Sequence, residues 1–269
     1  MADSYISVTN ADALVVPVKS AVVYAAMEKS LFLGGELIPV VNAPNGVLQV
    51  PELASVTATS IAGGGITTDV AITNPADTKN TITCDLIAAR SIIRDLGNID
   101  PMEIGRMLGM SVAKAFDITV YTALNSATAS TVDSFPMTVD AVFDAVAQIR
   151  GAGETGPLVG IVNPAAAKEL LKAIGTAAYA GSDMFQAEAL RSGALGSLGG
   201  VQFFVSSLIT TSNTSGYIMG TEAARIAMQR NVDVEIGRRV EAVGVDVVAS
   251  VMSAVGLVDA TRAVKLINV

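Results

Sequence analysis

Residues 100–127, DPMEIGRMLGMSVAKAFDITVYTALNSA, decide how the rest of the chain is read. Asp100 can cap a first turn, Pro101 suits the first helical position, and Glu103 completes an Asp-x-x-Glu capping pattern. No proline follows until Pro136, so the stretch predicts one long helix, roughly 40 Å at about 1.5 Å per residue. Glu103, Arg106, Lys114 and Asp117, continued by Tyr121, form one narrow polar stripe. Ile104, Met107, Leu108, Val112, Phe116, Ile118, Val120 and Leu124 occupy the rest of the circumference, which predicts packing on most sides. Gly105 and Gly109, four apart, would let a second backbone come close, at the expense of local helix propensity. Such a helix needs a thin, broad fold to lie across. On this stretch alone the plainest reading is a core helix of an ordinary α/β enzyme.

The segments before it argue for something else. Residues 1–17 read as an extended arm, and Val18 to Leu33 as a short amphipathic helix stopped by Gly34-Gly35. Residues 36–41 are apolar and extended, and Asn42 to Gly46 turns the chain. From Val47 to Asn80, Thr, Ser, Ala, Val and Ile dominate, with Gly63, Gly64 and Gly65 near the middle: a long hairpin with almost no large apolar residues. Such a hairpin cannot bury enough to stand alone and is expected to lie on a neighbour; the alternative is a surface loop. Core-like alternation resumes at Thr81 to Ile93 and leads into the long helix.

Beyond Ala127 a second compact region is expected. Thr138 caps a helix whose Val139, Val142, Phe143, Val146 and Ile149 share one face, and Pro157 to Val162 reads as a buried strand. Asn163-Pro164 opens another helix, which Gly175 stops. The glycine-rich segment 175–200 is too long for an ordinary connection and is expected to touch something. Strands are expected at 201–209, 217–219 and 224–228, then through a strand-rich tail from Val232, with Gly237, Gly244 and Gly256 as breaks.

Composition sets limits on function. The 269 residues are 51% hydrophobic but only 4% aromatic, with 24 Gly and no Trp. Charged residues make up 16%, too few to coat a soluble monomer, so other surfaces must cover the apolar excess. A membrane is the weaker candidate, because no run of about 20 consecutive apolar residues occurs. Subunit burial is the better one. The single Cys84 excludes an intramolecular disulfide and fits a reducing interior, and a net charge of −8 argues against a reader of nucleic-acid phosphates.

Catalytic signals are poor. The chain contains no histidine, which removes the commonest acid–base residue and disfavours zinc and hydrolase triads. Residues 151–156, Gly-Ala-Gly-Glu-Thr-Gly, match G-x-G-x-x-G but follow a helix and precede a strand, the reverse of a dinucleotide site, and read as a turn. The pairs Asp140/Asp144 and Asp233/Glu235 read as solvated faces rather than metal ligands. Arg238 and Arg239 with Glu241, in the strand-rich tail, are candidates for an inter-subunit ion pair, as Gly63–Gly65 are for an inter-subunit contact. No catalytic, cofactor-binding or metal-binding residue is assigned.

The order of elements resembles the major capsid proteins of tailed bacteriophages, the Hong Kong 97 family. NTITCDLIAARSIIRD leading into PMEIGRMLGMSVAKAFDITVYTAL is similar to that family's peripheral strand and spine helix. TVDAVFDAVAQIRGAG followed by PLVGIVNPAAAKELLKAI resembles the axial domain's first helix, central strand and Asn-Pro helix. LGGVQFFVSSLI resembles the family's Leu-Gly-Gly-x-Pro-Val strand with Gln202 where proline is common, and MQRNVDVEIGRR and GLVDATRAVKL resemble the closing strands. The resemblance spans residues 20–269 and implies an α+β fold: an N-terminal arm (1–45), an extended hairpin or E-loop (46–80), a peripheral domain (81–130 and 227–258) with spine helix 101–127, and an axial domain (131–226 and 259–269). It implies a non-enzymatic subunit that assembles as pentamers and hexamers into an icosahedral shell around double-stranded DNA, without sequence-specific binding, cofactor or membrane. The implied setting is the virion capsid, assembled in the host bacterial cytoplasm with a portal, and either with separate scaffolding or decoration proteins or with none. The lysine–asparagine cross-link of some relatives is not expected, although Lys79 and Asn80 lie near the hairpin base. Encapsulin compartment proteins rank second, because their arm is usually more helical and charged; a nucleotide-binding α/β enzyme using 151–156 is the remote alternative.

Overall fold

The structure is a computed structural model that describes residues 8–53, 77–94, 100–127, 130–133, 136–174, 196–209, 213–239, 241 and 243–267. The long helix spans Pro101–Ala127 and is α2 of the fold; α1 is Val8–Lys29. Asp100 caps α2 as its sequence implies: the Met102 N–H donates to Asp100 Oδ1 at 2.9 Å. Gly105 and Gly109 face α1. A Cβ at Gly105 would lie 3.1 Å from the Val18 carbonyl oxygen. At Gly109 it would meet the Val22 backbone, 3.1 Å from its carbonyl carbon, and sit 3.0 Å from Ala25 Cβ. Val18, Ala21, Val22 and Ala25, spaced three and four apart, form the buried stripe of α1 opposite them.

Two features of these helices depart from the sequence reading. The arm is helical from Val8, with Pro17 inside the helix, rather than extended to residue 17. The helix also ends at Lys29, short of Gly34-Gly35, because Ser30 takes over the next amides: Phe32 N and Leu33 N both donate to its hydroxyl, at 3.2 and 3.1 Å. On α2 the polar stripe is not uniformly wet. Asp117 is 1% exposed and Tyr121 is buried, whereas Met107 and Ile118 are exposed at 61% and 44%. Packing against the turn after α1 has drawn the polar pair inward.

Beneath the helices lies a four-stranded sheet in the order β1-β10-β11-β4, comprising Val40–Asn42, Ala224–Arg239, Gly244–Leu257 and Asp85–Arg94. β10 is a single strand of 16 residues rather than two pieces, because register shifts between Met228 and Asp233 absorb the irregularity. Gly237 and Gly256 therefore sit within strands and break nothing. Gly256 has a packing role instead: a Cβ there would strike Ile82 at 2.6 Å, where the hairpin base crosses the sheet. That hairpin pairs β2 (Val47–Leu53) antiparallel with β3 (Asp77–Thr83), from Val47↔Thr83 to Leu53↔Asp77. Its tip, including Gly63–Gly65, lies outside the described residues.

The second region is a six-stranded mixed sheet in the order β5-β12-β9-β6-β8-β7. These strands are Ser130–Asp133, Ala263–Ile267, Thr214–Gly220, Leu158–Val162, Val201–Val205 and Ser197–Leu198. The helices α3 (Val139–Gly151) and α4 (Pro164–Ile174) pack on it. Both helices start as their sequences imply, with Ala141 N donating to Thr138 Oγ1 at 3.2 Å and Ala166 N to Asn163 Oδ1 at 2.7 Å. Central β6 is buried throughout: Leu158 and Val162 join the α3/α4 core, Val159 and Ile161 the core that contains α2. Phe143 departs from its expected face and is 47% exposed, lying against the Gly199–Gly200 turn. Residues 175–195 lie outside the described residues.

Candidate functional site

Among the described residues no group of three or more Cys, Asp or Glu side chains is arranged to hold a metal. No described helix is long and apolar enough to cross a membrane. Those of the residues singled out in sequence that lie among the described residues do not converge on one centre, so each local arrangement carries its own chemistry.

The 151–156 turn is filled by its own side chain. Gly153 takes φ +87°, which favours glycine, and nothing lies within 4 Å of where its Cβ would be. Glu154 is 4% exposed; its Oε1 accepts from Gly156 N at 2.8 Å, and Arg262 reaches its Oε2 at 3.4 Å. Arg150 closes the loop by donating to the carbonyls of Glu154 and Gly156, each at 2.9 Å. A phosphate would need the amide that the carboxylate already holds, and would meet a buried negative charge. The motif is a structural turn that ties the end of α3 to the segment before β12.

Arg239 and Glu241 lie within 3.4 Å of each other at the turn between β10 and β11, and Arg238 is exposed beside them. Next to them Arg90 forms a two-pronged pair with Asp246, holding the Asp246 carboxyl below its ordinary range. These exposed pairs are screened and contribute little to folding. They sit together at the end of the two long strands. Lys19 donates to Asp233 at 2.6 Å, the residue at the β10 register shift, and so fastens α1 to that sheet.

Asp117 was not legible as a special residue. Ser30 Oγ donates to its Oδ1 at 2.6 Å and Leu31 N to its Oδ2 at 3.2 Å, so this buried carboxylate holds the turn that follows α1. Burial pushes its pKa up to about 6, against those two hydrogen bonds. Tyr121, one turn on, meets Phe32 edge-on at 5.5 Å and stacks on Tyr217 of β9 at 6.4 Å, linking α2 to the six-stranded sheet. Only the (i, i+4) spacing of Asp117 and Tyr121 hinted at a joint surface.

The hairpin is the remaining feature. Its base is held by Ile82 and Cys84 against Ala43 and Ala227, by Cys84 N donating to Gly46 O at 2.8 Å, and by Asn80 Nδ2 donating to Val258 O at 3.1 Å. Asn80 is thus engaged within its own chain.

The fold as a whole is similar to a group of solved structures. The capsid of cyanophage P-SCSP1u matches with a TM-score of 0.69 at 14% identity, over 86% of each chain. This is the Hong Kong 97-type fold. The mature capsid of bacteriophage PhiM1 matches at 0.66 and 14% identity, over 88% of this chain and 87% of the other. A virus-like particle from Pyrococcus furiosus matches at 0.64 and 14% identity, over 93% and 97%. No family model and no curated protein matches the sequence.

Proposed function

We propose that this chain is a major capsid subunit of a tailed bacteriophage, a structural protein that self-assembles into an icosahedral shell around double-stranded DNA. The observation that supports this most is the near end-to-end match to capsid and virus-like-particle structures, at TM-scores of 0.64–0.69. In this reading residues 1–45 are the arm, 46–80 the extended hairpin, 81–130 and 227–258 the peripheral domain, and 131–226 and 259–269 the axial domain. The hairpin tip with Gly63–Gly65 lies on an adjacent subunit, and Arg238, Arg239 and Glu241 meet a neighbour at the end of the long strands. Pentamers and hexamers build the shell in the host bacterial cytoplasm, with a portal and a separate scaffolding or decoration protein. The net charge of −8 suits a wall that must release packaged DNA.

The reading assigns no catalysis, because the 151–156 turn is closed by Glu154 and Arg262. The helical arm removes one ground for ranking encapsulins second; the recurrence of phage capsids among the similar structures supports keeping that order. Calorimetry with NAD and ATP tests the enzyme alternative. The expected result is no saturable heat, and micromolar binding lost in Glu154→Ala would overturn the structural reading of the turn.

A further inference from the structure

Among the described residues the two large sheets have four edges, three of them formed by short strands: β1 has 3 residues, β5 has 4 and β7 has 2. The fourth is β4, Asp85–Arg94, with 10 residues. Its pairing with β11 runs without a bulge from Gly244↔Arg94 to Ser253↔Asp85, and no described strand pairs with its other side. An open edge of this length is ordinarily guarded by a proline, a bulge or an inward-pointing lysine. β4 has no Pro, no Lys and no bulge, and its central charge, Arg90, is turned onto Asp246 of β11. It also displays Leu86 and Ile92, 58% and 37% exposed, on the face away from α2. In a chain with this few charges, such an edge is built to be paired.

The sequence of β4 indicates the occupant. Leu86 and Ile92 stand three residues either side of Ala89, so the exposed apolar pattern is symmetric about that residue. We propose that β4 pairs antiparallel with β4 of a second copy across a two-fold axis through Ala89, joining two four-stranded sheets into one continuous sheet. A two-fold perpendicular to the sheet keeps the same face outward in both copies, so paired residues must have equal parity, and this register satisfies that condition. It sets Leu86 of each copy opposite Ile92 of the other, as direct cross-strand neighbours about 5 Å apart between Cβ atoms. Ala88 then faces Arg90 of the second copy, whose guanidinium is already neutralised by its own Asp246. The two backbones supply the hydrogen bonds, and the two Leu–Ile pairs fix the register. The contact rests on the shell reading only for the concentration at which copies meet; the pairing itself is a property of the strand.

Cysteine cross-linking of the full chain tests it. On a Cys84→Ala background, Leu86→Cys and Ile92→Cys are made as separate variants; both positions are exposed, so both variants are expected to fold. Oxidised alone, each puts its cysteines some six residues apart across the axis and should give no dimer, since a disulfide needs Cβ atoms within about 4.5 Å. Mixed, oligomerised together and oxidised, they should give a disulfide-linked dimer on a non-reducing gel. Dimer formed equally by either variant alone would overturn the register. Oligomers that form normally without a cross-link in the mixture would overturn the edge pairing while leaving the proposed function intact. A chain that never oligomerises under any condition would overturn both.

Discussion

Replacing Gly109 with alanine should destabilise the subunit, although alanine is the better helix former. Ala for Gly in a helix interior ordinarily stabilises by about 1 kcal/mol. At Gly109 the added methyl would fall 3.0 Å from Ala25 Cβ and closer still to the Val22 carbonyl oxygen, which is backbone and cannot rotate away. The α1–α2 pair must therefore part. Overpacking of this kind costs about 1–3 kcal/mol in side-chain cores and falls at or beyond the upper end when the obstacle is a helix backbone. Set against the propensity gain, the net loss should be about 2 kcal/mol or more. Gly105→Ala, with its nearest neighbour at 3.1 Å, should be milder, and Gly151→Ala, with nothing within 4 Å at the end of α3, should be neutral or slightly stabilising. Urea unfolding of dissociated subunits measures all three under one condition. Equal or greater stability for Gly109→Ala would show that the helices do not approach as closely as their glycines imply, and would refute the reasoning.

Other consequences are as direct. Asp117 has its folded pKa raised from 3.8 to about 6, so between those values the folded state holds more protons than the unfolded one, and stability falls as pH rises through that window. About two units corresponds to ~3 kcal/mol lost by pH 7; Asp117→Asn, whose single amide oxygen can accept from only one of the two donors, Ser30 Oγ or Leu31 N, should lower stability but flatten the pH slope, and an unchanged pH profile would contradict the assignment. Leu108→Lys places an ammonium in the core beneath α2, where Leu108 is 6% exposed, and should cost more than about 4 kcal/mol; a soluble variant with a wild-type melt would show that the buried face is misassigned. A short Gly-Ser link in place of residues 55–70 leaves both hairpin strands and their anchors, so the subunit should melt cooperatively but form rings or monomers instead of closed shells, as light scattering would show. Closed particles of normal size would reduce the hairpin to a surface loop.

Local chemistry made much of this fold legible in sequence. The caps at Asp100, Thr138 and Asn163 each satisfy an orphan amide with a side chain next in sequence, and the glycine pair of α2 announced a close neighbour. What sequence could not show was set by distant partners. Asp117 looks like a surface residue until Ser30 and Leu31, 87 and 86 positions away, are placed over it. Met107 and Ile118 look like core, yet they are exposed among the described residues. Gly256 looks like a break because its reason, Ile82 on a crossing hairpin, lies elsewhere in the chain. The turn at 151–156 was legible because its context was wrong for phosphate, but the buried Glu154 that fills it was not, since Arg262 arrives from the other end of the domain.

Negative-stain electron microscopy of the purified full-length chain, examined across a range of concentrations and salt, tests the shell reading most directly. The account predicts hollow closed particles of uniform diameter, or rings of five and six subunits that convert to them. A monodisperse monomer at every condition, with neither rings nor shells, would contradict it.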